Sequence, residues 1–236
     1  MGKLRASVAV MAALCLGGCV STKTQTTTLA MGTPLPDATV LFMDPDIELR
    51  LLTTGGAAEP RADWTEAAKT NMLRQIESEV HAHGTKVIHF DAKAETSAHI
   101  MQLVHLHEVV GSTILGNAGL AKLPNKEKVF DWSLGPGVSE IAANYHADYA
   151  LFLFARGSYA SAGRVALSLV SAALIGVTMP LGQQVAFASL VDLHTGNVVW
   201  IGVAATGEAA DMSSADGAAS VAKALVSTIP LGQKPS

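Results

Sequence analysis

The first candidates for chemistry are eight histidines in a chain of 236 residues. The closest pairs are His81-Ala82-His83 and His105-Leu106-His107-Glu108. Both lie in stretches with helical periodicity. Residues i and i+2 of a helix point about 200° apart, so neither pair can close on one metal ion. His107-Glu108-Val109-Val110-Gly111 lacks the second histidine of a zinc-binding HExxH helix. Asp44-Pro45-Asp46 offers carboxylates without the glycine turn and distal glutamate of a calcium loop. Tyr159-Ala160-Ser161-Ala162-Gly163 misses the first glycine of a nucleophile elbow. Leu134-Gly135-Pro136-Gly137 is not followed by the Lys-Ser/Thr of a phosphate loop, and Pro136 suits the first turn of a helix instead. The histidines therefore read as solvent-facing helix residues and the aspartates as turn residues. The expectation is no catalytic set, no metal ligands and no cofactor. A metal-dependent hydrolase using His105–Glu108 stands as an alternative.

Cys19 carries more specific chemistry. Lys3 and Arg5 precede a short apolar stretch, Ala6 to Leu16, and two glycines stand directly before Cys19. A basic start, a short apolar segment and small residues at the cut describe a secretory signal, since the segment is too short to span a bilayer. Leu16-Gly17-Gly18-Cys19 resembles the bacterial lipobox. That resemblance implies cleavage after Gly18 and a covalent lipid on Cys19, whose several acyl chains anchor stably. Val20 follows in place of an aspartate, which by the same resemblance implies the periplasmic face of the outer membrane. Cys15 leaves with the signal, so no internal disulfide can form. Losing Lys3 and Arg5 moves the formal net charge from −4 to about −6. That acidity argues against nucleic acid as a partner.

The elements that must position everything else follow from hydrophobic periodicity. Residues 1–18 read as signal, 19–37 as the lipidated cysteine and a flexible Thr/Ser-rich tether, 38–230 as one α/β periplasmic domain and 231–236 as a tail. Strands are expected at Ala38–Pro45 and Ile47–Thr54, then a loop, Gly55 to Ala62. Asp63 with Glu66 predicts a capping box for a helix to about His83, with Ala67, Ala68, Leu73, Ile76 and Val80 towards one face. A strand at Lys86–Phe90, a helix over about Thr96–Asn117, a short helix at Val138–His146 and a strand at Tyr149–Ala155 follow. Val185–Leu193 and Val198–Thr206 flank the turn His194-Thr195-Gly196-Asn197 as a hairpin, and a helix closes the chain. The fold class is α/β (α+β), a mixed sheet with helices packed on it, ending in a β-hairpin and a C-terminal helix.

Ala147-Asp148-Tyr149, Val191-Asp192-Leu193, Thr195-Gly196 and Trp200 together resemble a group of envelope lipoproteins. The group includes the curli-secretion channel lipoproteins and the penicillin-binding-protein activator lipoproteins, with an α/β fold like the amino-terminal domain of the Tol periplasmic protein. The resemblance spans residues 38–228 and implies a scaffold and no activity. From the residues themselves, Gly196 supplies the positive φ of a tight hairpin, while Asp148 and Asp192 can accept turn N–H groups.

Between Arg164 and Asp192 there is no charge. Val165–Met179 stops at Pro180, short of the ~20 apolar residues that a span needs. Leu167, Val170, Leu174 and Val177 form one stripe at helical spacing and predict a helix buried in the domain or in an interface. Membrane contact is a second reading. A third, implied by the curli-type channels, is a barrel hairpin, against which the missing in–out alternation counts. The functional expectation is a lipid-anchored accessory or assembly protein of the envelope. It would be held to the outer membrane and act through contacts with an envelope protein. An oligomeric secretion or pore subunit using residues 165–182 is the alternative.

Overall fold

The computed structural model describes residues 21–26, 38–119, 123–126, 130–206 and 210–231. Cys19 and the signal segment lie outside them. The sheet has eight strands: β1 (Ser21–Thr26), β2 (Thr39–Phe42), β3 (Asp46–Leu52), β4 (Ala58–Pro60), β5 (Lys86–His89), β6 (Tyr149–Ala160), β7 (Gln184–Asp192) and β8 (Val198–Thr206). The helices are α1 (Ala62–Ala82), α2 (Ala98–Gly119), α3 (Ser139–Tyr145), α4 (Ala162–Ile175) and α5 (Ala215–Val226). The strand order is β1-β8-β7-β6-β2-β5, with β3 beside the far half of β6 and β4 on the outer edge of β3. β2 and β3 both run parallel to β6, and β5 runs parallel to β2. The other pairs are antiparallel. The mixed α/β sheet expected from the sequence is the fold that forms.

β6 is the axis of the sheet. Its first half pairs with β2 and its second half with β3, because Pro45 breaks the ladder between them. The expected strand at Tyr149–Ala155 therefore continues to Ala160. Apolar residues alternate along β6 and β7 and fill both faces. On one face α1 (Ala68, Met72, Ile76, Val80) and α5 (Val221, Leu225) cover Phe42, Leu49, Leu151, Leu190 and Trp200. On the other, α2 (Ile100, Leu103, Ile114) and Ile141 of α3 cover Leu41, Phe152, Phe187 and Val191.

Four expectations change. The segment read as tether contains β1, which pairs with the otherwise open edge of β8. Its Thr-rich sequence suits a strand, and an open edge favours pairing. The loop after β3 contains β4, a short edge strand folded back on β3. Asp63 is not a cap: the N-cap lies two residues earlier, at Arg61, which makes no side-chain cap. Asp63 instead sits in the first turn, paired to the Arg61 guanidinium at 2.6 Å. Arg61 also lies 4.2 Å over the Trp64 ring, and the cation holds the Asp63 carboxyl below its usual range. Finally, Ile229 and Leu231 are buried, so the domain stays packed through the start of the expected tail.

Candidate functional site

Helix α4 is built from its ends inward. Ser161 adopts an extended conformation as N-cap, and its Oγ accepts the Arg164 N–H at 3.2 Å. Gly176 takes the left-handed conformation, φ 71°, at the C-cap, and its N–H donates to the Ala172 carbonyl. The chain then folds back along the helix to β7. The Met179 N–H donates to Ser168 Oγ at 3.0 Å, and Arg164 Nε donates to the Pro180 carbonyl at 2.7 Å. The Ser158 N–H donates to the Gln183 carbonyl at 2.9 Å, which closes the lobe onto the end of β6.

The result is a helix packed inside out. Ser168 is its one buried residue. At 100° per residue, Arg164, Ser168 and Ser171 share the inner side, and Leu167, Leu169, Val170 and Leu174 share an outer arc about 160° wide. Exposure is 38% for Leu167, 67% for Leu169, 53% for Val170, 77% for Leu174, 70% for Ile175 and 54% for Val177. The stripe Leu167, Val170, Leu174 and Val177 thus faces out, and the expectation that its own domain buries it is corrected. The physical reason is local. The inner slot is filled by the return segment, whose backbone needs the Ser168 hydroxyl. Fully covering a large aliphatic side chain is worth about 1.5–3 kcal/mol, so covering this face is worth roughly 5–10 kcal/mol. Monomeric domains rarely leave such a contiguous patch open. Among the described residues no helix is long and apolar enough to cross a membrane.

The turn residues lie at the opposite end of the sheet. Asp192 Oδ1 accepts the His194 N–H at 2.8 Å and the Thr195 N–H at 3.3 Å. Asp148 Oδ2 accepts the Thr39 N–H at 2.8 Å, joining the start of β6 to β2. Gly196 has φ 79°, and a Cβ there would collide with the Gly135 carbonyl. The same close approach lets the Gly196 carbonyl accept from the Leu134 N–H and Ser133 Oγ. Both carboxylates are engaged by backbone donors.

The histidines divide. His105 is exposed beside Glu108, and His81 and His89 both approach Glu77 on the surface. His107 is not solvent-facing as expected. It is 6% exposed, stacks on Phe152 at 3.6 Å between centroids, and its Nε2 lies 2.6 Å from Ser189 Oγ. Burial pushes its pKa down to about 3, so the imidazole is neutral. The sequence held a signal for this: Ile100, Leu103, His107, Gly111 and Ile114 follow the i+3/i+4 spacing of a buried stripe. A serine within hydrogen-bonding distance of an imidazole has nucleophile–base spacing. Ser189, however, is 0% exposed, so the pair ties α2 to β7. A small cleft of about 50 Å³ opens next to His107, between α2 and the break at Asp44-Pro45-Asp46. Its rim carboxylates already have partners. Asp46 pairs with Arg156 at 2.8 Å, and Asp44 accepts the Ala92 N–H. No group of three or more His, Cys, Asp or Glu side chains placed to hold a metal ion occurs among the described residues.

No family model and no curated protein matches the chain. Among solved structures it is similar to the PelC dodecamer from Paraburkholderia phytofirmans, at 15% identity over 92% of this chain and 100% of that one, with a TM-score of 0.38. A point variant of the same dodecamer in another crystal form gives 15% identity, 92% and 99% coverage and the same TM-score of 0.38. The LpoB C-terminal domain from Salmonella enterica is 16% identical over 72% of this chain and 84% of its own, with a TM-score of 0.28.

Proposed function

We propose that the protein is a lipid-anchored accessory of the bacterial cell envelope. Lipid on Cys19 holds it at the periplasmic face of the outer membrane, and it works through contacts of its folded surface, not by turnover. The observation that carries this reading is the uncovered aliphatic arc of α4, a surface whose energetics favour being covered in the working state. The signal-like N-terminus and Cys19 support the anchor. Replacing Cys19→Ala moves the protein out of the outer-membrane fraction, and a variant that still fractionates there sinks the anchoring. A photo-crosslinking residue at Leu174, used in living cells, captures whatever covers α4. A second reading, an oligomeric secretion or pore subunit closing through residues 165–182, draws on the same arc. Sizing of the detergent-extracted protein separates the two, since a strict monomer rules out the oligomer.

A further inference from the structure

The cover of α4 is narrowed by where the chain enters the sheet. Ser21 stands opposite Ala205 of β8. Thr206 stands opposite Gln184 of β7, and Gln184 opposite Gly157 near the end of β6. Ser21 is thus at the same end of the sheet as α4, three strand spacings or about 15 Å from β6. Cys19 is two residues before Ser21, so at most about 7 Å of chain separates them. Acyl chains on Cys19 would enter a bilayer within reach of the helix.

The character of the arc points the same way. Between Val165 and Ala186 there is no aromatic and no charged residue. Protein interfaces are enriched in Tyr, Trp and Arg and carry about one hydrogen bond per 100–200 Å². The outer arc of α4 offers neither, because Ser168, Ser171 and Arg164 turn inward and are hydrogen-bonded there. Such a face asks for apolar cover without directional partners, which acyl chains supply. With 14 residues the helix suits lying along a lipid surface, not crossing it.

We propose that α4 lies in the lipid surface beside Cys19, with Leu169, Val170 and Leu174 among the acyl chains. The inference rests on the anchoring reading. It sets the domain's orientation: the α4 end sits on the membrane, and the 194–197 turn stands about 30 Å away along β7. Partners then meet the turn end and the helical faces.

The test uses the full, membrane-processed protein carrying an environment-sensitive fluorophore on Leu174→Cys, or on His194→Cys as the far-end control. It is reconstituted into phosphatidylethanolamine/phosphatidylglycerol vesicles containing a lipid brominated along its acyl chain. Mass spectrometry of the N-terminal peptide reads the lipid on Cys19 independently. The expected result is at least twofold quenching at position 174 and none at 194. Equal emission with and without brominated lipid at 174, in protein whose Cys19 is lipidated, overturns the docking and leaves the anchor intact. Quenching at 174 in protein lacking the Cys19 lipid supports the docking and removes the anchor. Disulfide formation between two unlabelled copies at position 174, with no quenching of the labelled protein, assigns the face to a second copy and overturns the proposal.

Discussion

Acid destabilises this fold through one buried imidazole. The relevant perturbation is a shift from pH 7 to pH 5, compared between the parent protein and His107→Gln. Burial holds the folded-state pKa of His107 down to about 3, from an ordinary 6.5. A base whose folded pKa is depressed contributes stability that is fully present above the unfolded value. That stability is lost as pH falls from 6.5 towards the folded value. Each pH unit inside the window costs about 1.4 kcal/mol, so the change to pH 5 costs about 2 kcal/mol. That is a large part of the stability of a domain worth about 5–15 kcal/mol. The carboxylates held low by hydrogen-bonded partners, among them Glu95 beside Tyr145 and Glu140 beside Ser97, are lost only from their ordinary range downward. The window above pH 5 therefore isolates His107. The glutamine side chain of the variant can still reach Ser189 but takes up no proton. The variant starts about 1–2 kcal/mol less stable at pH 7 from the lost stacking on Phe152, with a flatter pH profile. Urea unfolding at pH 7, 6 and 5 reads both. A parent profile flat to within about 0.5 kcal/mol, or a variant that loses as much as the parent, refutes the reasoning.

Three further outcomes follow from the geometry. Gly196→Ala forces a side chain into the left-handed region against the Gly135 carbonyl and costs about 2–3 kcal/mol, or roughly 4–12 °C in the thermal midpoint. Ser168→Ala strips the Met179 N–H of its acceptor; about 1–2 kcal/mol is lost locally, seen as faster hydrogen exchange across 177–183 with the sheet unchanged. Leu169→Asp with Leu174→Asp leaves the folding stability within about 0.5 kcal/mol of the parent, because both side chains face out, while the quenching by acyl-brominated lipid of a fluorophore on Val170→Cys falls at least twofold and the Cys19 anchor still holds the protein on the vesicles.

Much of the fold was legible because period and punctuation agree. The hairpin over 185–206 reads from two apolar runs around Thr195-Gly196, and β5 reads from an apolar run after Gly84. α1 reads from its i+3/i+4 spacing, although Met72 and not Leu73 completes its buried face. β4 was missed because a short exposed edge strand has no buried side to impose a period, and β1 because Ser21–Thr26 contains no apolar residue to mark one. The orientation of α4 was missed for a different reason. A helical apolar stripe ordinarily faces the core, and nothing local says that the inner slot at the sheet end is taken by a backbone segment that needs a hydroxyl. His107 was legible only as a member of the Ile100–Ile114 stripe, once polarity was set aside. Asp148 and Asp192 read as turn acceptors because short carboxylates beside sharp turns have loose N–H groups within reach.

β1 gives the domain a mechanical property. Its six residues form a continuous ladder with β8, and Ser21 is the end of that ladder at which the preceding chain joins. A load arriving through that chain pulls the ladder in shear, so all its hydrogen bonds resist together instead of opening one after another from an end. β8 passes the force through β7 to β6, the strand that joins this side of the sheet to β2 and β3 on the other. Tension from the N-terminus is thus distributed across the whole sheet.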